Sequence, residues 1–502
     1  MKLRVLAAAA LATALSGAAH AGFDNDTLVF AAEQDPGTLD PYFSNGAITR
    51  VLSRNIFDSL LYRDPQSGAY KPHLATSVKY VDPTTIDVEL RRGIVFQNGE
   101  KLDADDLVYT MNYVADPNNK IVASNRTFFI KGAQKTGEYS ARIFLKQPFA
   151  AAFEYFATSI VVYPNEYHAK VGASGMGRKP VGSGPYEVVE FVPGERVVLK
   201  KRKDYFGGAQ TPGHIGTIVY RRITEANTQM AELLTGGVDL IWRVTPDQRL
   251  ELAKQPSVAV GSAETIRYGL IMMDAASRSG ASPLAKLQVR QAIAHAIDRR
   301  AVLERLAGGG VQLLSVPCHP DQAGCIAKGI KEYSFDLQKA KKLLAEAGYP
   351  NGFELTIWGY HQKSWMEAMM SDLAKVGIRT NLRYVTAGAL IKAIQAGQVP
   401  FSYISWGSSG INHVSASAGT LFTDTAYSYT GDPQVKALFV QADLTVDETK
   451  RNALYGQALE RIMDQAYAIP FFAYRISYAH NRRLAFTLDS DEQLRFWDMK
   501  WK

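Results

Sequence analysis

Hydrophobic and polar positions alternate through TTIDVEL, with Ile86, Val88 and Leu90 on one face and Thr85, Asp87 and Glu89 on the other. That is the period of a half-buried strand. The chain continues RRGIVFQNGEKLDADDL, where Asn98-Gly99 predicts a tight turn, because glycine has no Cβ and asparagine tolerates positive φ. Asp103 is then placed to cap a helix beginning at Ala104. Asp105 and Asp106 fall in its first turn, where the helix dipole favours negative charge, and Leu102 can staple onto Leu107. Leu107, Met111 and Val114 recur at helical spacing. The carboxylates here serve a helix start rather than paired acid–base catalysis.

Elsewhere the pattern changes once. Up to about residue 265 it is rich in strands: the apolar run TLVFAAE, a hairpin in YEVVEFVPGERVVLKKR turning at Pro193-Gly194, the strand IGTIVYRRI, a helix over about 225–235 and the strand VDLIW. From about 285, PLAKLQVRQAIAHAIDRRAVLERL has a helical pattern. FDLQKAKKLLAEAGYPNGFELTIW predicts a helix capped by Asp336, a stop at Gly348 and a strand. A helix ending at Gly377, the strand IRTNLRYV, the helix AGALIKAIQAG and the strand PFSYISW follow. Alternating helix and strand implies an α/β sandwich with a largely parallel sheet. The last thirty residues read as strands again, which suggests that the chain returns to its first part.

The ends and the charge narrow the class. MKLRVLAAAALATALSGAAHA has Lys2 and Arg4 before an apolar run and Ala19-His20-Ala21 as a cleavage site, so residues 1–21 read as a secretory signal peptide. Residue 22 is glycine, so no lipid anchor is indicated, and no later run approaches the ~20 apolar residues that span a bilayer. The expectation is a periplasmic protein. The formal net charge of +7 loses two with Lys2 and Arg4, and the remaining basic residues are scattered. The densest run, Lys200–Lys203, reads as a solvated strand end, and no basic stripe interleaved with aromatics points to nucleic acid. With 502 residues, 46% of them hydrophobic, the chain can bury more than one core. Cys318 and Cys325, the only cysteines, sit in the loop PCHPDQAGC. In an oxidising compartment they read as a local disulfide. A metal site with His319 and Asp321 fits poorly, because six intervening residues do not match the short paired spacings of zinc modules.

Six blocks in order carry a family likeness: DPGTLDPYFSNG (35–46), LATSVKYVDPTTIDVELRRGIVFQNGEKLDADDLVYTM (74–111), PVGSGPYEVVEFVPGERVVLKKRKDYFGG (180–208), LLTGGVDL (233–240), VRQAIAHAID (289–298) and AKKLLAEAGYPNGFEL (340–355). Together they resemble the extracytoplasmic solute-binding proteins of peptide- and nickel-type ABC importers. The resemblance implies a two-lobed α/β periplasmic-binding-protein fold closing on a ligand by population shift. The lobes would be 22–266 with 472–502, and 267–471, with an extra subdomain inserted at about 57–183. It implies a monomer without cofactor, serving a permease and its ATPase subunits in the inner membrane. The 91–107 stretch would be a signature of the inserted subdomain, away from the ligand.

The same resemblance implies a site. Ser405, Trp406 and Gly407, with Ser408, Ser409 and Asn412 beyond, correspond to the ligand-clamping segment at the carboxyl end of a strand. Asn45, Gly46 and Ala47 correspond to the segment that pairs with a peptide ligand's main chain. The lesser alternative for Trp406 is ordinary core. Peptide-binding members carry an aspartate after the tryptophan for the ligand's ammonium group, whereas Ser409 and Gly410 stand here. A buried ammonium without a counter-charge is costly, so recognition of a free amino terminus needs an acid from elsewhere. His413 raises a nickel reading, unsupported by a neighbouring carboxylate or second histidine. Val78 and Arg202-Lys203 depart from the family pattern in ways that look structural. The 53 aromatic residues suggest a pocket lined by aromatics from both lobes. Against an enzyme, GSGPY and GSSGI lack the G-x-S-x-G elbow, and S-x-x-K and H-E-x-x-H are absent. A sensory binder feeding a receptor would share the scaffold.

Overall fold

The strand and helix expected around residue 100 form as Thr85–Leu90 and Ala104–Ala115. Asp103 closes a capping box with Asp106, and Leu102, Leu107, Met111 and Val114 are buried. The turn differs in detail. Only Gly99 takes a positive φ (86°), while the Asn98 side chain accepts the Glu100 N–H at 3.2 Å. Gln97 ties this turn to the rest of the lobe: its Nε2 donates to the carbonyls of Ile56 (3.0 Å) and Tyr186 (2.8 Å), and its Oε1 accepts from the Gly182 N–H (2.9 Å). Gly182 must be glycine, since a Cβ there would lie 2.1 Å from the Ile56 carbonyl oxygen.

The computed structural model describes residues 22–502 apart from 211–212, 307–310, 361–362 and 446; the expected signal peptide, 1–21, lies outside the described residues. No helix among them is long and apolar enough to cross a membrane. One ten-stranded sheet runs, edge to edge, through Arg379–Tyr384, Glu354–Gly359, Phe401–Trp406, Val258–Met273, Ala468–Asn481, Leu240–Trp242, Thr27–Ala32, Thr217–Arg222, Arg196–Lys201 and Tyr186–Val192. It is mixed rather than largely parallel. The crossover-connected strands pair in parallel at one edge and again inside the other half, but the two long central strands and the Pro193-Gly194 hairpin at the far edge are antiparallel. A separate four-stranded sheet, Ala75–Asp82, Thr85–Leu90, Ser140–Leu145 and Ile130–Gly137, carries the helix Ala104–Ala115.

Two large cores lie along the main sheet. One draws on residues between 28 and 242 and between 476 and 499, together with Ile411 and Ala416, the other on residues between 268 and 474. The two long strands belong to both. Val258–Glu264 pairs with Asn481–Arg475 on the first side and Tyr268–Met272 with Ala473–Ala468 on the second, and the register shifts between them. At the shift the Thr265 hydroxyl donates to the Tyr474 carbonyl (3.0 Å) and the Ile266 N–H to the Ser490 carbonyl (2.8 Å).

Two further details depart from the sequence reading. The helical pattern over 283–306 splits into Leu287–Ala296 and Arg299–Leu306, because Ile297 is extended and Asp298 starts the second helix by accepting the Ala301 N–H. Lys200–Lys203 is not a wholly solvated strand end. Arg202 folds inward, buried, bonding the carbonyls of Ser183 (3.1 Å) and Val95 (3.3 Å) and pairing with Asp204.

Candidate functional site

Strands of both lobes end at the cleft between them. Thr27–Ala32, Thr217–Arg222 and Leu240–Trp242 of the first lobe run parallel, and a cavity of about 90 Å³ at their carboxyl ends is lined by Glu33, Gln34, Thr224, Trp242 and Arg243. In open α/β sheets this is where ligands bind. From the second lobe, Phe401–Trp406 delivers the loop Gly407–Asn412. A smaller cavity of about 20 Å³, between this loop and the first lobe, is lined by Arg50, Arg54, Arg126, Ser159, Ser409 and Gln493 among others.

The expected residues divide into contact-makers and supports. Ser409 Oγ accepts from Asn125 (3.4 Å), and the Asn412 N–H donates to Glu154 (2.7 Å), so both lie where the lobes touch. Asn412 is 3% exposed and Ser408 is buried, its Oγ accepting from Gln322 (3.0 Å). Trp406 is half-buried: its indole N–H donates to the Ala416 carbonyl (2.7 Å), and its ring stands edge-on to Tyr427. Ser405 Oγ bonds the Tyr360 hydroxyl at 2.8 Å. Gly407 packs under Arg267, where a Cβ would meet the guanidinium at 2.6 Å. Asn45 and Gly46 are exposed; Gly46 caps the helix that Ala47 opens, with its N–H on Ser44 Oγ (3.0 Å). Asn45 reaches the cleft indirectly, its Oδ1 accepting from Arg126 (3.4 Å).

Cys318 and Cys325 form a disulfide. The loop they close braces the cleft loop: Gln322 also donates to the Ile411 carbonyl (3.1 Å), the Ala323 N–H to the Asn412 carbonyl (3.1 Å), and the Val414 N–H to the Ala323 carbonyl (2.9 Å). His319 bonds Glu264 (3.2 Å), at the register shift of the long strands. His413 is buried and structural, its Nδ1 accepting the Ser415 N–H. Burial, with Arg451 nearby, drives its pKa down to about 3. Among the described residues no group of three or more His, Cys, Asp or Glu could hold a metal ion.

Charge dominates the cleft, and the sequence reading missed it. Arg50 and Arg54 stand one turn apart on the helix Ala47–Ile56, and Arg126 comes from the inserted region. Arg243 follows a strand end and Arg267 lies at the register shift. Glu492 pairs with Arg267 (2.8 Å) and Arg243 (3.4 Å); Asp491 pairs with Arg495 (2.6 Å) and Arg54 (3.4 Å). Burial opposes ionisation of Glu492 and Asp491, but the arginines outweigh it and hold both carboxyls below their usual range. Glu154 pairs with Arg63 (3.4 Å), and its carboxyl is held above the usual range by burial. Burial also lowers Arg126 to about 9, with Arg50 adding repulsion; it lowers Arg50 to about 10, against the pull of Glu492. The expected aromatic lining is not found in these two cavities. Trp242 is the one aromatic residue lining either cavity, because rings such as Tyr42, Tyr163, Tyr268 and Tyr403 fill the two cores.

Backbone strain gathers here as well. Arg243 (φ 65°), Ser408 (49°), Ser409 (53°) and Glu492 (60°) are all left-handed, at a cost of ~1 kcal/mol or more each. Such strain collects where a fold holds residues for a ligand.

The family model for bacterial extracellular solute-binding proteins, family 5 (middle), matches residues 69–429. The glutathione-binding protein GsiB of Escherichia coli K12 is 28% identical over 500 residues, covering 95% of this chain and 94% of that protein. Two solved structures share the fold: the periplasmic binding protein DppA of Helicobacter pylori in complex with the peptide STSA (23% identity, TM-score 0.81, 95% of this chain and 98% of that one) and AgaA of A. tumefaciens R10 in complex with agropinic acid (24%, TM-score 0.78, 95% and 99%). A two-lobed scaffold with a lined cleft, matched by the family model over most of its length, places this chain among the bacterial extracellular solute-binding proteins of family 5, which are receptors of ABC importers and not enzymes.

Proposed function

We propose that this chain captures a peptide or peptide-like solute in the periplasm and hands it to an inner-membrane permease driven by its ATPase subunits. The lobes are 22–266 with 472–502, and 267–471, with a subdomain at about 57–183 inserted in the first. Closure bends the long strands at 265–267. Asn45, Gly46, Ala47, Ser405, Trp406, Gly407, Ser408, Ser409 and Asn412 belong to the ligand-contacting and supporting surfaces. The observation that carries this reading is the inter-lobe contact of Asn412 with Glu154 and of Ser409 with Asn125, beside strand ends from both lobes. Closure of this kind needs a ligand that makes better contacts in the closed form. The 28% identity to a glutathione-binding protein supports a peptide-like ligand.

A second reading, the same receptor role for a non-peptide solute, is favoured by one observation: no carboxylate stands in Gly407–His413. The test is uptake. Deleting the gene abolishes import of a labelled peptide pool component, and a plasmid copy restores it. Unchanged import of every peptide tested, with loss of growth on a non-peptide solute, would replace the first reading by the second.

A further inference from the structure

We infer that the solute is a net anion and that one of its carboxylates seats between Arg50, Arg54 and Arg126. This rests on the solute-receptor reading and names the charge class that it leaves open.

Arg126 is 3% exposed and has no carboxylate within 4 Å among the described residues. Its Nε has no partner, and its other nitrogens make only long bonds, to the Pro41 carbonyl (3.5 Å) and Asn45 Oδ1 (3.4 Å). The Arg50 Nε is likewise enclosed without a partner, and its guanidinium donates to the Asn45 carbonyl (3.1 Å). Arg54 reaches Asp491 only at 3.4 Å. A buried guanidinium left without a counter-ion costs several kcal/mol, on the order of what a buried unpaired charge costs elsewhere. Arg50, half-buried beside Arg126, adds repulsion.

The protein's own acids are bound to other partners, and only Glu492 pulls on Arg50 from beyond bonding distance. Glu492 is held by Arg267 and Arg243, Asp491 by Arg495 and Arg54, Asp489 by Arg495 (2.5 Å), and Glu154 by Arg63, the Tyr70 hydroxyl and the Asn412 N–H. Around the cleft floor the guanidinium groups outnumber the carboxylates. A cationic ligand end seated against these arginines would meet surplus positive charge; the one acid that lines either cavity, Glu33, stands in the larger one. The cavity in front of these arginines, about 20 Å³, holds about one oxygen-sized group, since a single water needs ~10–15 Å³ by the same measure. It is lined by donors. A carboxylate there would accept charge-assisted bonds from the guanidinium forks, the geometry for which arginine is suited.

The test is calorimetric titration of the mature protein with Ala-Glu, Ala-Gln and Ala-Lys, with glutathione, and with glutarate as a non-peptide anion. Ala-Glu and Ala-Gln are nearly isosteric and differ by one charge. The expected result is that an anion binds at least tenfold more tightly than its neutral counterpart. In Arg126→Met the preference is lost while the melting temperature stays level or rises, because an unpaired buried charge has gone; Arg126→Lys keeps part of it. If Arg126→Met does not fold, Arg50→Met carries the same expectation. Ala-Gln or Ala-Lys binding as tightly as Ala-Glu, an unaltered preference in the variants, or no binding of any anion at millimolar concentration overturns the inference. Ala-Gln binding as well as Ala-Glu would leave the peptide reading standing, whereas glutarate binding alone would keep the charge inference and remove the peptide reading.

Discussion

Two pairs of enclosed arginines differ in what surrounds them. In the second lobe, Arg290 donates to the carbonyls of Gln465 (3.0 Å), Leu284 (2.8 Å) and Ala285 (3.0 Å), and Arg299 to those of Leu314 (3.1 Å), Pro470 (2.6 Å) and Tyr333 (3.4 Å). In the cleft, Arg50 and Arg126 make fewer bonds, those of Arg126 long, and leave Nε atoms unpartnered. Burial lowers the pKa of all four. The difference teaches that burial alone does not mark a site. A buried cation held by several carbonyls serves the fold, and one whose donors line a cavity is held for something else.

The sharpest break in this comparison is a pair of substitutions. Arg290→Met leaves three carbonyls without their donor and is expected to lose ~3 kcal/mol of stability, at ~1 kcal/mol per unmet acceptor, with affinity per folded molecule unchanged. Arg126→Met shows the reverse. Denaturant unfolding and titration on both variants check it, and a large stability loss in Arg126→Met would erase the distinction.

Removing the disulfide should move both quantities at once. Cys318→Ser with Cys325→Ser frees a short loop, on the order of 2 kcal/mol by loop entropy, and loosens the Gln322 brace on Ser408, so affinity falls severalfold. Gln97→Ala should behave like Arg290→Met on a smaller scale, losing ~2 kcal/mol because three bonds joining Ile56, Gly182 and Tyr186 go, with no change in binding.

The smallest effect is a pH slope. His413 has its pKa lowered to about 3 by burial, so the native protein keeps it neutral while the unfolded chain protonates it near 6.5. The stability it contributes is full above pH 6.5 and is lost as pH falls from 6.5 toward 3. Asp40, Asp106 and Asp443, raised to about 6 by burial, act in the opposite sense over part of that range. The difference between wild type and His413→Asn isolates the histidine: the variant should lose less stability than wild type between pH 6.5 and 4.5. Parallel curves would contradict the assignment.

How far the sequence led depends on the range of the interactions. The Asp103 cap, the Pro193-Gly194 hairpin and the Gly348 stop are set by neighbours, and they were legible. The split at Ile297-Asp298 had a local sign in Asp298, a good helix-starting residue, which the continuous apolar spacing masked. The six-block likeness carried the family. The arginine cluster was not legible, because Arg50, Arg126, Arg243 and Arg267 meet only after the sheet and the inserted region are assembled. The one local trace was Arg50 and Arg54 at helical spacing. The two cavities hold one ring between them for the same reason: composition counts rings and does not say which side of a sheet they fill.

The most direct measurement is native mass spectrometry of the protein isolated gently from the periplasm, followed by release and identification of the bound solute. The account predicts a small solute with more acidic than basic groups, lost in Arg126→Met. A neutral or cationic peptide, retained in that variant, would contradict it.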